Sequence, residues 1–209
     1  MALFLSHEES LYRWGIWKMD EPVEVLLDQL PEREYYEREI QRFVAPHRRW
    51  EWLSVRALLF LLLGEHKVVG YESSGKPYLA DHSYFISISH TKGYVAVILS
   101  DKVPVGIDIE QYGQRVHKVA PKYMREDEPV NLYKEDATWS LLLHWSAKEV
   151  MFKCMDIAEV DFRQHLHIEP FLPREQGTFI CHEYRTRQQR NFRIHYLIHP
   201  EFVMTWSID

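Results

Sequence analysis

Asp108 and Glu110 stand two residues apart in Val105-Gly106-Ile107-Asp108-Ile109-Glu110, where they interrupt a run of Val, Ile and Ile. Residues two apart on a strand project from the same face, so the two carboxylates point together. Burying such a pair is costly unless a cation or hydrogen-bond donors compensate it. Some forty residues on, Trp145-Ser146-Ala147-Lys148-Glu149-Val150-Met151-Phe152-Lys153 adds a third carboxylate, flanked by two lysines. Oxygen ligands of this kind suit a hard divalent cation, and the lysines suit the phosphates of a substrate that the cation would hold. Each element alone also has an ordinary reading. An Asp-x-Glu on an edge strand can be a solvated face, and Glu149 with Lys153, four apart on a helix, can be a surface pair worth a few tenths of a kcal/mol.

The elements that must position these groups follow from hydrophobic period and turn residues. A strand is predicted over 11–19, and a short helix over 22–30 that opens on Pro22. A charged helix over 32–44 is stopped by Ala45-Pro46. The next helix, 47–63, carries Trp50, Leu53, Ala57, Phe60 and Leu61 on one face and stops at Gly64. Strands over 84–89, 94–99 and 105–110 follow as a meander, with Lys92-Gly93 and Asp101-Lys102 in the turns. A helix over 135–155 precedes strands near 166–171, 178–184, 192–198 and 202–208. The layout is α+β, and no residue-level repeat relates its two halves.

Upstream of the acids lie Gly75-Lys76-Pro77, then Ile86-Ser87-Ile88-Ser89-His90-Thr91, then Gly93-Tyr94-Val95. With Gly-Ile-Asp-x-Glu and Trp-x-x-Lys-Glu-x-x-x-Lys after them, the order of motifs resembles the 4'-phosphopantetheinyl transferase superfamily in its longer, monomeric form. The resemblance spans about half the chain, from the Arg-rich helix near Arg48 to Lys153. It implies a pseudo-two-fold pair of similar α/β halves, 1–105 and 106–209, with the active site in the cleft between them. It also implies an activity: transfer of the 4'-phosphopantetheine arm of coenzyme A to a serine of an acyl or peptidyl carrier protein, releasing adenosine 3',5'-bisphosphate.

On the same basis Asp108, Glu110 and Glu149 match the acids that hold Mg²⁺. Glu149 is the candidate to take the serine proton, directly or through a metal-bound water, with Asp108 and Lys153 as its catalytic partners. Lys148 and Lys153 match lysines facing the phosphates. Ser89, His90 and Lys76 fall in the region that contacts coenzyme A, and either Arg48 or Arg49 would meet the 3'-phosphate. Arg56, among apolar neighbours, is expected to pair within the fold. Glu128 resembles an acid near the pantetheine and carrier. A helical region at 123–125, with Lys118, Lys122, Arg125, Tyr123 and Met124, is where relatives receive the carrier. Ser87 and Thr91 depart from the usual Asn and Ser, and the segment after Lys153 lacks the glycines relatives often have. Two other readings share parts of this pattern: a non-catalytic coenzyme A-binding member of the same fold, and a general Mg-dependent phosphotransferase. Intact acids oppose the first, and the Gly-Lys-Pro and Ser-His-Thr elements are not predicted by the second.

Composition bounds the rest. A formal net charge of −6 argues against non-specific nucleic-acid binding. Two cysteines, Cys154 and Cys181, are too few for a disulfide framework, which points to a reducing, cytoplasmic setting. The opening Met1-Ala2-Leu3-Phe4-Leu5 lacks the basic start of a signal peptide, and the longest apolar run, 57–63, is too short to span a bilayer. Ser89 and His90 are not a hydrolase pair, because adjacent strand residues face opposite ways. The 12 histidines are dispersed rather than grouped as zinc ligands.

Overall fold

Alternating apolar residues and two long apolar helices are the local signals from which both halves of the chain are built. The computed structural model describes residues 2–208 and has a mixed α+β architecture in two units, one ending at Val103 and the other beginning at Pro104.

The first unit runs β1 (Leu3–Glu8), β2 (Arg13–Lys18), α1 (Val23–Asp28), α2 (Arg33–Ile40), α3 (Pro46–Leu63), β3 (Val69–Tyr71), β4 (Pro77–Leu79), β5 (Phe85–Thr91) and β6 (Tyr94–Ser100). Its main sheet has the order β1-β2-β6-β5, with antiparallel neighbours, and β3 pairs β4 in a separate ribbon. Every residue of β6 is buried, as its central place requires. Pro46 opens α3 at a position where a missing N–H costs nothing, and Gly64 at φ 74° ends it in the left-handed conformation. Leu53, Ala57 and Leu58 of α3 share one core with Val95, Val97 and Leu99 of β6. The helix approaches β2 so closely that a Cβ at Gly15 would meet Leu58 at 2.7 Å. Leu61, expected on the buried face of α3, is exposed.

The second unit runs β7 (Val105–Gln111), α4 (Arg115–Val119), a 3₁₀ turn (Ala120–Lys122), α5 (Thr138–Met155), α6 (Phe162–His165), β8 (Leu166–Ile168), β9 (Gln176–Glu183), β10 (Asn191–His199) and β11 (Phe202–Ile208). The sheet order is β7-β11-β10-β9-β8, again antiparallel throughout. Leu143, Ala147, Val150 and Met151 of α5 pack with Ile168, Cys181, Ile194 and Val203. A Cβ at Gly106 would sit 2.6 Å from Cys154 Sγ, so the glycine lets β7 lie flush under α5.

Two expectations change here. The third strand of the predicted meander, β7, pairs not with β6 but with the last strand, in a register from Val105↔Ile208 to Gln111↔Phe202. The turn after β6 is capped by the Ser100 hydroxyl, which accepts from Lys102 and Val103 N–H, and Pro104 has no N–H for a β6 ladder. The helix predicted at 123–125 ends earlier, because the 3₁₀ turn closes at Lys122. Among the described residues, no helix is long and apolar enough to cross a membrane.

Candidate active site

In β7 the alternation delivers Asp108 and Glu110 to the same face, and both meet α5. Asp108 is 4% exposed, and its Oδ1 accepts from Lys153 Nζ at 2.9 Å; the same ammonium donates to Ile107 O at 2.8 Å. Trp145, two turns before Lys153 on α5, donates from Nε1 to Glu110 Oε1 at 2.7 Å. Its ring is held between Tyr123 and Phe162, with centroids at 5.2 and 5.6 Å. Glu149 lies between these two positions on the helix. Burial pushes its carboxyl up to about 7, and repulsion from Asp108 adds to this while Lys153 offsets it. Burial also pushes Glu110 up to about 7, reinforced by Asp108 and Glu149 and opposed by the Trp145 N–H and Lys153. Three carboxylates therefore share a half-buried patch with one lysine. Among the described residues, however, no three His, Cys, Asp or Glu side chains converge closely enough to form a ready-made metal cage. Lys153 engages Asp108, and Trp145 engages Glu110.

Lys148 does something else. Its side chain and that of Glu128 are both fully enclosed, joined Nζ to Oε2 at 2.8 Å. The ammonium also donates to Tyr123 O at 2.7 Å and Phe162 O at 3.3 Å. Glu128 accepts from the N–H groups of Arg125 and Ile168, both at 2.9 Å. Neither residue is where the resemblance put it, on phosphate or on pantetheine. The reason is helical phase: consecutive residues diverge by about 100°, so Lys148 enters the core while Glu149 does not. Tyr123, expected to meet a carrier, is likewise core; it is 1% exposed and donates to Leu141 O at 3.0 Å. Arg125 is committed to Asp127 and to Gln164 O.

The first unit gathers most of the other candidates. A cavity of about 580 Å³ is lined by Arg48, His90, Gly75 and Pro77, together with Trp52 and Arg56. Arg48 Nη1 lies 3.1 Å from His90 Nε2 and 3.0 Å from Glu51 Oε2. Lys76 sits between the two Gly-Lys-Pro residues that line the cavity. The two arginines differ in where their side chains go. Arg49 turns back and donates from Nε to Phe43 O at 2.7 Å, tying down the segment before α3, while Arg48 faces the cavity. Ser89 is buried on the face of β5 opposite Ile88 and His90, which line the cavity, so its side chain is not among the lining groups.

Residues 104–206 match the family model of the 4'-phosphopantetheinyl transferase superfamily. The chain carries a domain of that superfamily. No curated protein matches it. The matched span holds Asp108, Glu110, Lys148, Glu149 and Lys153; Arg48, Lys76 and His90 lie outside it. Within this transferase-superfamily domain, two roles were not read from the sequence. Trp145 fixes a candidate metal carboxylate, a role signalled only by its place four residues before Glu149. Glu128 anchors Lys148, a partnership across twenty residues that no local pattern announces.

Proposed function

We propose that the protein transfers the 4'-phosphopantetheine group of coenzyme A to a serine of an acyl or peptidyl carrier protein, as a cytoplasmic, Mg-dependent monomer that releases adenosine 3',5'-bisphosphate. The observation that carries this reading is the acid patch of the superfamily domain, in which buried Asp108 and half-buried Glu110 and Glu149 interact, with Lys153 as the offsetting cation.

The donor set fits a divalent cation. Two carboxyls displaced to about 7 by burial and mutual repulsion are groups that a cation would return to their charged form. Magnesium commonly takes only one or two protein carboxylates beside water and phosphate, so three converging acids are not required. Asp108, Glu110 and Glu149 would hold it, and it would supply Lewis-acid stabilisation of charge on the pyrophosphate.

The chain's own residues account for the rest. Glu149, kept ionised beside the cation, would accept the proton of the serine hydroxyl. The serine oxygen would bond to the phosphorus that carries pantetheine, and the bond to the adenosine-side phosphate would break. Lys153 holds Asp108 in place and offers its ammonium to a phosphate oxygen. Trp145 keeps Glu110 from rotating away. Arg48 and His90 in the first unit supply positive charge and hydrogen-bond donors suited to the nucleotide phosphate. Lys148 has no part in substrate contact. The test is a mass gain of one phosphopantetheine on candidate carriers incubated with the protein, coenzyme A and Mg²⁺. Unmodified carriers across fatty-acid, polyketide and peptide types would overturn the proposal.

A further inference from the structure

Trp145 and Lys148 stand three residues apart on α5, a spacing that makes their side chains neighbours on the helix. The Lys148 side chain is fully enclosed. Its ammonium donates to Glu128 Oε2 at 2.8 Å, to Tyr123 O at 2.7 Å and to Phe162 O at 3.3 Å. The two carbonyls belong to the residues whose rings flank the Trp145 indole, with centroids at 5.2 Å for Tyr123 and 5.6 Å for Phe162. The indole in turn donates to Glu110 Oε1 at 2.7 Å. One buried ammonium therefore fixes the backbone on both sides of the ring that orients a carboxylate of the acid patch.

The links are held from other directions as well. The Tyr123 hydroxyl donates to Leu141 O at 3.0 Å, one turn before Trp145. Glu128 accepts from the N–H groups of Arg125 and Ile168, so the ion pair joins the segment after the 3₁₀ turn to β8 as well as to α5. Stability alone is a poor account of such a pair. A buried ion pair often adds nothing over apolar residues of similar volume, because desolvation of both charges offsets their attraction. What apolar residues lack is direction: an ammonium with three donors selects one arrangement of the oxygens around it. Trp145 is half-buried rather than locked in the core, so the rings beside it set how far it can rotate.

We propose that Lys148 and Glu128 are positioning residues for Glu110: their enclosed ion pair ties Tyr123 and Phe162 against Trp145, and Trp145 holds the Glu110 carboxylate in one orientation. The use to which Glu110 is put rests on the transferase reading, whereas the clamp on Trp145 does not.

The experiment is hydrogen exchange of the indole N–H groups in the full chain, labelled with ¹⁵N, free of metal and read by nuclear magnetic resonance. The Trp145 signal is the one that Trp145→Phe removes. Lys148→Met combined with Glu128→Gln strands no charge and keeps an acceptor at position 128. The double variant should speed exchange at Trp145 by at least about ten-fold and leave Trp206, in the same unit, within about two-fold of wild type. Unchanged exchange at Trp145 overturns the proposal. So does equal acceleration at Trp206, because general loosening of the fold would move both. If far-ultraviolet circular dichroism shows the double variant unfolded, Phe162→Leu decides. It keeps the ion pair, removes one ring and should also release Trp145; exchange there at the wild-type rate overturns the proposal. Under the transferase reading the double variant should further need about ten-fold more Mg²⁺ for half-maximal carrier modification, the scale of losing a residue that orients a metal ligand. An unchanged Mg²⁺ requirement with Trp145 released overturns the positioning role. Carriers left unmodified by wild type, with Trp145 released in the double variant, remove the transferase reading and leave the clamp. Carriers modified by wild type, with Trp145 still protected in the double variant, remove the clamp alone.

Discussion

The two units solve one architectural problem with opposite charge. Each lays an 18-residue helix across an antiparallel sheet. In the first, the buried helix charge with no ion-pair partner among the described residues is a cation, Arg56, supported by aromatic faces. In the second, the excess is anionic: Asp108, Glu110 and Glu149 outnumber the lysine beside them. The second unit also shows what a completed buried charge looks like, in the Lys148–Glu128 pair. Uncompensated charge in a fold is a request for a ligand of the other sign. By that logic the first unit asks for an anion and the second for a cation.

The sharpest break in this comparison is removal of the acids. Asp108→Ala or Glu149→Gln should lower carrier modification by at least about a hundred-fold, the scale of losing a general base or a metal ligand. Both variants should keep a wild-type circular dichroism spectrum, because neither residue holds the core together. Transfer at the wild-type rate by Asp108→Ala would end the metal assignment.

A second break compares stability costs. Lys148→Met strands the Glu128 carboxylate in the core and should cost about 3–5 kcal/mol of unfolding free energy. Arg56→Met strands no acid and should cost less than half as much. Urea unfolding of the two variants measures the difference directly. Equal costs would mean that Arg56 is as fully paired as Lys148, and the contrast between the units would fail.

Much of the scaffold was legible because its signals are local. The alternation around Trp14 and Ile16, the Pro46-to-Gly64 bounds of α3 and the apolar strand 202–208 all appear where they were read. What stayed hidden is non-local or a matter of phase. β1 has mostly exposed residues and therefore no buried face to betray it. The partner of β7 lies at the far end of the chain. On α5, residues are buried on nearly every side, so the helical period does not single out Lys148 as the lysine that turns inward. Likewise Arg48 and Arg49 are neighbours whose roles separate only once the start of α3 is fixed. The acids needed no such help, because a period of two on one strand already placed Asp108 and Glu110 together.

That separation of neighbours can be tested on the ligand. Arg48→Ala should weaken coenzyme A by about ten-fold, the value of one charge-assisted phosphate contact, and should weaken 3'-dephospho-coenzyme A much less. Arg49→Ala should leave the ratio of the two affinities unchanged, since its guanidinium is spent on Phe43 O. Calorimetry at moderate salt reads both. A ratio that moves with Arg49 and not with Arg48 would exchange their roles.

The smallest effect sharpens the anionic side of the comparison. Glu110 and Glu149 sit at about 7, above an ordinary value of 4.5. With the folded values raised, the folded state binds more protons than the unfolded chain between those limits. Stability is therefore greatest toward the acid end of that window, falls as pH rises through 7, and levels off beyond it. The melting temperature of the metal-free protein should drop by a few degrees between about pH 5 and about pH 7.5. Mg²⁺ binds the ionised carboxylates, so it should restore stability at the upper pH and add little at the lower. Glu149→Gln should remove part of the slope, because an amide neither takes the proton nor repels Asp108. Arg56 contributes nothing to this slope, as arginine does not titrate there. Differential scanning calorimetry at matched ionic strength checks each step. A flat profile that Mg²⁺ leaves unmoved would mean that the acids of the second unit are already compensated by the fold, and the opposition between the two units would disappear.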